Sequence, residues 1–260
     1  RLLSPGPVLG TILAAHAAAG AGQQDLVDAF LSGEQRAALA FPQAGSESEV
    51  GSRVSGTFRV HDLEGSDWVL VVDSDVVVLV AASEVRPEAV DAVDPTAPVT
   101  VGDIDGPARL VLLGAEVPRR GAVLQAAALC GIAEAARDDS ASYVTTRQQF
   151  GKPIGAFQGV KHRCAEMAVR AETAFFQTVY AALTLDERHD SPDFHASSAL
   201  VVARDAARLN AADNVQNHGG MGFTAEAHAH LYVRRQLALG NAFGSRRVHL
   251  EVIAAAESPL

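Results

Sequence analysis

Cysteine is nearly absent: only Cys130 and Cys164 occur in 260 residues. They form no CxxC pair, keep no ligand-like spacing to histidine, and both fall in helix-like stretches. A disulfide framework and a structural metal centre are therefore excluded as organising devices, and the two thiols read as reduced core residues of a cytoplasmic protein. Aromatic residues are also scarce, at 5% with a single Trp, while Ala is abundant, which suits helices packed through small side chains. No apolar run is long enough to span a bilayer and no signal peptide is recognisable, so neither membrane insertion nor export is expected. Positive charge is in deficit. With 21 Lys and Arg against 31 Asp and Glu, the formal net charge of −10 argues against nucleic acid or an anionic membrane surface as partner. Any local basic stretch is therefore informative.

A chain of this length holds one large domain or two modest ones. Pro5 and Pro7 open an apolar helix over Val8 to Ala19, and Gln23 to Leu31 reads as a second. From Ala38 the hydrophobic period changes to two, with Val54, Phe58 and Val60 alternating against polar neighbours. The apolar runs Trp68 to Val72 and Val76 to Val80, joined by Asp73-Ser74-Asp75, read as a hairpin of buried strands. Pro95, Pro98 and Pro107 punctuate a looser stretch before Arg109 to Leu113. Residues 38–115 are thus expected to form a small, largely antiparallel β domain. From about Pro118 a breaker-poor helix runs with Leu124, Ala127, Gly131, Ile132 and Ala135 on its buried face. Gly151 and Pro153 are expected to stop it and start the next, with the stripe Phe157, Val160, Cys164, Met167, Ala171, Phe175, Val179 and Ala182. Beyond a charged connection, LDERHDSPD, a third helix carries Leu200, Ala203, Ala207, Ala211 and Val215, and a last one spans Ser245 to Ala256. Long antiparallel helices joined by short corners begin a bundle.

Two stretches are richer in polar groups than turns require. The first corner holds Arg147, Gln148, Gln149 and Lys152, and an Arg fork suits a phosphate or carboxylate. An Arg paired with a surface acid is the plainer alternative. In the second stretch, Gly219, Gly220 and Gly222 interrupt the chain before Thr224, which can cap a following helix with Glu226 in its first turn. Such a turn offers backbone N–H groups to an anion, or is simple punctuation. His218 is open between a structural hydrogen bond and a ligand contact. His228 and His230, two apart, do not share a helical face and suit solvent or capping roles rather than metal. Arg234-Arg235 and Arg246-Arg247 read as helix-end charges at a subunit interface.

The wording of these stretches is more specific than their spacing. RxxFGKPIxxFQ at Arg147 to Gln158, and QxxGGxGF followed by TxExxxHLYxRR at Gln216 to Arg235, resemble the acyl-CoA dehydrogenase family. The resemblance is strong from Gly121 to Arg235 and extends from about Ala38 to the end. It implies a mainly α fold with a middle β domain and a carboxyl-terminal four-helix bundle. The domains would be a remnant of an amino-terminal helical domain (1–37), a middle β domain (38–115) and the bundle (116–260). Leu2 to Pro7 resembles the approach to the last helices of that amino-terminal domain. The resemblance also implies FAD, contacted across a subunit boundary by Arg147, Phe150, Gln158, Gln216, Gly219 and Gly220. The reaction implied is desaturation of an acyl-CoA thioester, in which a Glu removes the α-proton and the β-hydride passes to the flavin, with an electron-transfer flavoprotein as acceptor.

Departures from the family pattern are equally specific. The family's base belongs to a Tyr-Glu-Gly-Thr segment, where this chain has Ala242-Phe243-Gly244-Ser245. A minority takes its Glu from the start of the first bundle helix, where Arg119-Arg120-Gly121 stands. In AFPQAGS, Ala40 to Ser46, the family's Thr and Glu before the Pro are missing from a segment that touches flavin and acyl-CoA. No catalytic residue and no metal ligand is assigned. The pattern resembles the short non-catalytic subunit of actinobacterial α2β2 acyl-CoA dehydrogenases, whose larger partner supplies the base and binds the acyl-CoA, such as a steroid side-chain thioester of lipid metabolism. Two alternatives stay open: a flavin-free structural protein with this fold, and a homomeric dehydrogenase with a base such as Glu226 or Asp213.

Overall fold

Gly10 decides how the first helix meets the sheet behind it. Helix α1 (Val8–Gly20) crosses strand β1 (Ala37–Pro42) so closely that a Cβ at Gly10 would lie 2.2 Å from the Ala37 carbonyl oxygen. At the same crossing Ala37 N donates to Thr11 Oγ1 at 3.1 Å. The computed structural model describes residues 6–88, 93–94, 96–97, 99–187 and 191–256. The expectations at Leu2 to Pro5, at Pro95 and Pro98, and at Arg188 to Asp190 of the charged connection lie outside them. Between Gly121 and Ala122 the chain divides into two compact units.

The first unit carries α1, α2 (Gln24–Ser32) and the sheet. Gly33, in the left-handed conformation at φ 76°, ends α2. After β1 come β2 (Ser48–Val50), β3 (Arg53–His61), β4 (Trp68–Asp73), β5 (Val76–Ala81), β6 (Val85–Glu88), β7 (Val99–Pro107) and β8 (Leu110–Leu113). Their order is β6-β7-β3-β1-β4-β5-β8, with β2 beside β3. Every pairing is antiparallel except β1 with β4. The sheet curls until β5 approaches β7, enclosing Val54, Phe58, Val60, Val71, Val80 and Ile104 in one apolar core. Each such side chain is worth about 1.5–3 kcal/mol when fully buried. The β4–β5 hairpin lies where the apolar runs placed it, turning through Ser74 at φ 51°.

Strand β7 corrects the sequence reading, which took this stretch as loose. It pairs with β3 over nine residues, from Val99 opposite His61 to Pro107 opposite Arg53. Its buried positions include Gly102 and Gly106 flanking Ile104, so the alternation is real but two inward positions have no side chain to reveal it. A Cβ at Gly102 would lie 2.7 Å from the Arg86 carbonyl oxygen, which explains the glycine.

The second unit is helical: α3 (Glu116–Thr146, beginning in the first unit), α4 (Gln158–Asp186), α5 (Pro192–His218), α6 (Ala229–Leu239) and α7 (Arg246–Ala255). The three long helices are a bundle core, and α6 and α7 together fill the fourth position against α5. Small residues make the closest contacts, with Ala126, Ala133, Ala171, Ala174, Ala203 and Ala207 buried between the helices. A polar seam runs through this core along one face of α5. Fully buried Asn210 donates to the Ala133 and Met167 carbonyls at 3.0 and 2.9 Å, and its Oδ1 accepts from Arg170 Nε at 2.9 Å. One side chain thereby ties three helix backbones.

The expected stripe on α5 is buried from Leu200 to Ala211, but those on α3 and α4 need correction. On α4 the buried face holds Met167 and Ala171 as expected and then continues through Ala174, Thr178 and Ala181. Phe175, Phe176, Val179 and Tyr180 are instead 45%, 62%, 40% and 48% exposed. On α3 the face drawn through Leu124, Ala127 and Gly131 borders a groove of about 330 Å³ whose other wall is Phe175, Val179 and Ala182. Small residues take the close helix contacts, leaving the bulky ones outside, so counting bulk as burial rotates the face outward.

Candidate functional site

The corner after α3 is built by a reversal of the chain that the sequence reading did not anticipate. Arg147 N donates to the Tyr143 carbonyl at 2.9 Å, closing the last helical turn, and Arg147's own carbonyl accepts from Ile154 N at 2.9 Å. Between them β9 (Gln148–Gln149) and β10 (Lys152–Pro153) pair antiparallel around Phe150 and Gly151. Both turn residues have positive φ, 52° and 76°, the requirement of a type I′ hairpin. Gly151 is thus a hairpin glycine rather than a helix cap. Pro153 occupies β10, and α4 begins only at Gln158, after a short 3-10 turn, Ile154–Ala156.

Phe150 stands out physically. A bulky L-residue in the left-handed region costs about 1–2 kcal/mol, yet this ring is 90% exposed and recovers little by burial. Its edge meets Phe157 with centroids 6.1 Å apart, and Lys152 Nζ lies 4.4 Å over the Phe157 ring. Arg147 is exposed, and among the described residues its guanidinium makes no ion pair. Between Asp139 and Glu166 the chain carries Arg147, Lys152, Lys161, His162 and Arg163 and no acid, so this segment is locally basic on an acidic protein. Beside the hairpin lies an apolar cavity of about 410 Å³ lined by Val144, Thr145, Pro153, Gly155, Lys161 and Cys164.

Gln216 is exposed on the last turn of α5, which ends at His218. Gly219, at φ 62° and ψ −139°, turns the chain into a 3-10 segment, Gly219–Phe223. Nothing lies within 4 Å of a Cβ at Gly219 or Gly220, so their backbone is approachable. This corrects the expected helix N-terminus. The exposed amides belong to a short turn, and α6 starts only at Ala229. Thr224 caps no helix; its hydroxyl donates to the Met221 carbonyl at 2.9 Å.

Both motifs lie at one end of the bundle. Asn217 Nδ2 donates to Ser140 Oγ at 2.7 Å and its Oδ1 accepts from Arg163 Nη1 at 3.0 Å, joining the ends of α3, α4 and α5. The His218 ring stacks on Tyr143, centroids 4.0 Å apart at 23°, with Nδ1 2.9 Å from the Asn214 carbonyl. His218 thus makes the structural hydrogen bond. The seam residues Asn210, Asn214 and Asn217 were not singled out from sequence, although their spacing of four and three on an otherwise small-residue face was the available signal.

At the opposite end of the bundle, the Ala242-Phe243-Gly244-Ser245 segment is held from three helices. Phe243 N donates to Gln125 Oε1 at 3.2 Å, and Gln125 Nε2 donates to the Leu239 carbonyl. His249 Nε2 lies 2.8 Å from the Phe243 carbonyl, and Arg204 Nη2 donates to the Gly244 carbonyl at 2.9 Å. The Phe243 ring packs on the bundle core beside Tyr232 and Leu239. Burial lowers the pKa of His249, against the opposing pull of the Phe243 carbonyl, so the neutral imidazole is favoured here.

The two carboxylates considered as unconventional bases have other occupations. Asp213 is clasped by Arg170, with Arg163 Nε 3.4 Å from its other oxygen. Glu226 is exposed, and local hydrogen bonding, from Thr224 and from its own backbone amide, lowers its pKa. Among the arginine pairs, Arg246 meets Asp205 at 3.1 Å, Arg247 meets Glu251 at 2.8 Å, and Arg235 is buried.

Comparison with known proteins follows this division. The profile of the "Acyl-CoA dehydrogenase, C-terminal domain" family matches residues 119–257. Acyl-CoA dehydrogenase FadE34 of Mycobacterium tuberculosis is 35% identical over 261 residues, covering 94% of this chain but only 35% of FadE34. The chain thus spans about a third of that relative. In three dimensions the chain superposes on one chain of the ChsE4-ChsE5 complex from Mycobacterium tuberculosis with a TM-score of 0.84 at 25% identity, covering 98% of this chain and 77% of that one. The Tcur3481-Tcur3483 steroid ACAD shares the fold, with a TM-score of 0.80 at 23% identity over 95% of this chain and 75% of the other.

Proposed function

The chain belongs to the acyl-CoA dehydrogenase family, and we propose that it is the non-catalytic subunit of a heteromeric, flavin-dependent member, lending half of an FAD site to a larger catalytic partner. The carrying observation is the contrast between the two ends of one bundle. At one end lie a strained, exposed Phe150 and an exposed Arg147 that has no acid partner among the described residues. At the other, the segment corresponding to the family's base carries Phe243 and is hydrogen-bonded to its neighbours. Phenylalanine cannot take a proton, and removal of a proton α to a thioester needs a positioned base.

The residues at the outward end fit a dinucleotide. A basic segment on an acidic chain, an exposed guanidinium fork, open glycine amides and an uncovered aromatic face are the complements of a pyrophosphate and a purine. Arg147 would pair with phosphate oxygens, the Gly219 and Gly220 backbone would donate, Phe150 would offer its ring, and Gln158 and Gln216 would hydrogen-bond the rest. Bound FAD would supply the acceptor for the hydride leaving the acyl β-carbon. The partner would contribute the carboxylate base and hold the acyl-CoA, and an electron-transfer flavoprotein would reoxidise the complex. A steroid side-chain thioester is the preferred substrate class, supported by the likeness to the steroid ACAD.

The uncovered face of α4 and the groove beside it supply the assembly surface. Contiguous apolar side chains such as Phe175, Phe176, Val179 and Tyr180 mark an interface on a soluble protein. Each pairing of this chain with the catalytic chain completes one flavin site, so symmetric closure gives an α2β2 tetramer holding two flavins. Native mass spectrometry of the co-expressed pair, with flavin extracted and quantified, tests this. Two FAD per tetramer is the expected result; four FAD, or a homotetramer of this chain that retains FAD, would overturn it.

A further inference from the structure

We propose that His218 is a positioning residue: stacked on Tyr143, it fixes the Gly219–Phe223 turn relative to the end of α3 that presents Arg147, so that the two halves of the site move together. The inference uses the dinucleotide reading only for what the frame serves, since the frame itself stands on contacts. On one side, the Tyr143 carbonyl accepts the Arg147 amide, and the Arg147 carbonyl accepts Ile154 N, both at 2.9 Å. The Tyr143 backbone thus holds Arg147, and Arg147 in turn closes the base of the hairpin. On the other side, His218 directly precedes Gly219, and the turn folds back on it: a Cβ at Gly222 would lie 3.0 Å from His218 Cβ and 2.5 Å from the Val215 carbonyl oxygen.

The rings join the two sides. Their centroids are 4.0 Å apart and their planes 23° from parallel, which leaves little room to slide without losing contact. The imidazole is fixed in turn. Its Nδ1 lies 2.9 Å from the Asn214 carbonyl oxygen, which can only accept, so that nitrogen carries the proton. Nε2 faces Asp139 Oδ2 at 3.9 Å. With its side chain only 8% exposed, His218 is a spacer inside the bundle rather than a group that reaches a ligand.

Hydrogen exchange on the isolated chain tests the frame without flavin. Tyr143→Leu should speed exchange at the Thr224 amide, which donates to the Met221 carbonyl at 3.0 Å, and His218→Leu should speed it at the Arg147 and Ile154 amides, each roughly fivefold or more from loss of the ring stack. Tyr143→Phe and His218→Phe keep two stacked rings and should exchange nearly as the unsubstituted chain does, with α5 amides from Ala203 to Ala211 unchanged throughout. Changes confined to the substituted residue's own segment, or Phe variants as fast as Leu variants, would overturn the proposal. Flavin titration of the co-expressed complex then separates the two ideas. Coupled exchange with undiminished FAD occupancy in Arg147→Ala would support the frame and sink the dinucleotide reading. Occupancy lost in Arg147→Ala without coupled exchange would do the reverse.

Discussion

Phe150 concentrates the relation between strain and use. Glycine at this position would relieve the left-handed backbone, so Phe150→Gly is expected to leave the unfolding midpoint unchanged or raise stability by up to about 1 kcal/mol. Flavin occupancy of the complex should fall in the same variant. Occupancy that holds while stability rises would mean that the ring has no ligand. Arg147→Ala should lower occupancy roughly tenfold at limiting FAD, through loss of a charge-assisted contact of about 1.5–3 kcal/mol. Equilibrium dialysis against FAD measures both. Arg147, Phe150, Gly219 and Gly220 could be singled out in the sequence because their neighbours spell a family motif. The left-handed conformation of Phe150 was not legible, since local preference argues against it and only the two-residue span between β9 and β10 demands it.

Among the elements, α5 was legible because its buried positions are small and regularly spaced, whereas α3 and α4 carry apolar residues on more than one face and hide which is inward. Strand β7 was hidden by its inward glycines. The seam on α5 gives a sharp test. Asn210→Ala removes two hydrogen bonds to helix carbonyls and strands Arg170 Nε, so it should destabilise the helical unit by about 3 kcal/mol in urea titration. A second test lies in β3. His61 is buried, its Nε2 has no partner among the described residues, and burial, aided by the Arg59 charge, lowers its pKa from 6.5 to about 4. Unfolded, the imidazole binds a proton below about pH 6.5, but folded only below about pH 4. The stability from keeping it neutral is therefore full above pH 6.5 and is lost as pH falls toward 4, amounting to roughly 2 kcal/mol at pH 5. His61→Phe should remove that share of the acid sensitivity, read as a smaller drop in urea midpoint between pH 7.5 and pH 5.

On the scale of the whole molecule, the proposed division of labour predicts that the purified chain alone turns over no acyl-CoA with an artificial electron acceptor. Phe243→Glu should not confer turnover either, and any measurable rate in either protein would contradict the proposal. The hydrogen bonds around Phe243 give that result a structural meaning. Gln125, Arg204 and His249 hold the backbone there, and the ring is part of the bundle's apolar contacts. A carboxylate arriving by one substitution would exchange those contacts for a partly buried charge, with a stability cost and no activity in return. On the proposed division of labour, the segment would serve the bundle's packing, and a side-chain change at Phe243 alone would leave the clamped backbone where it is.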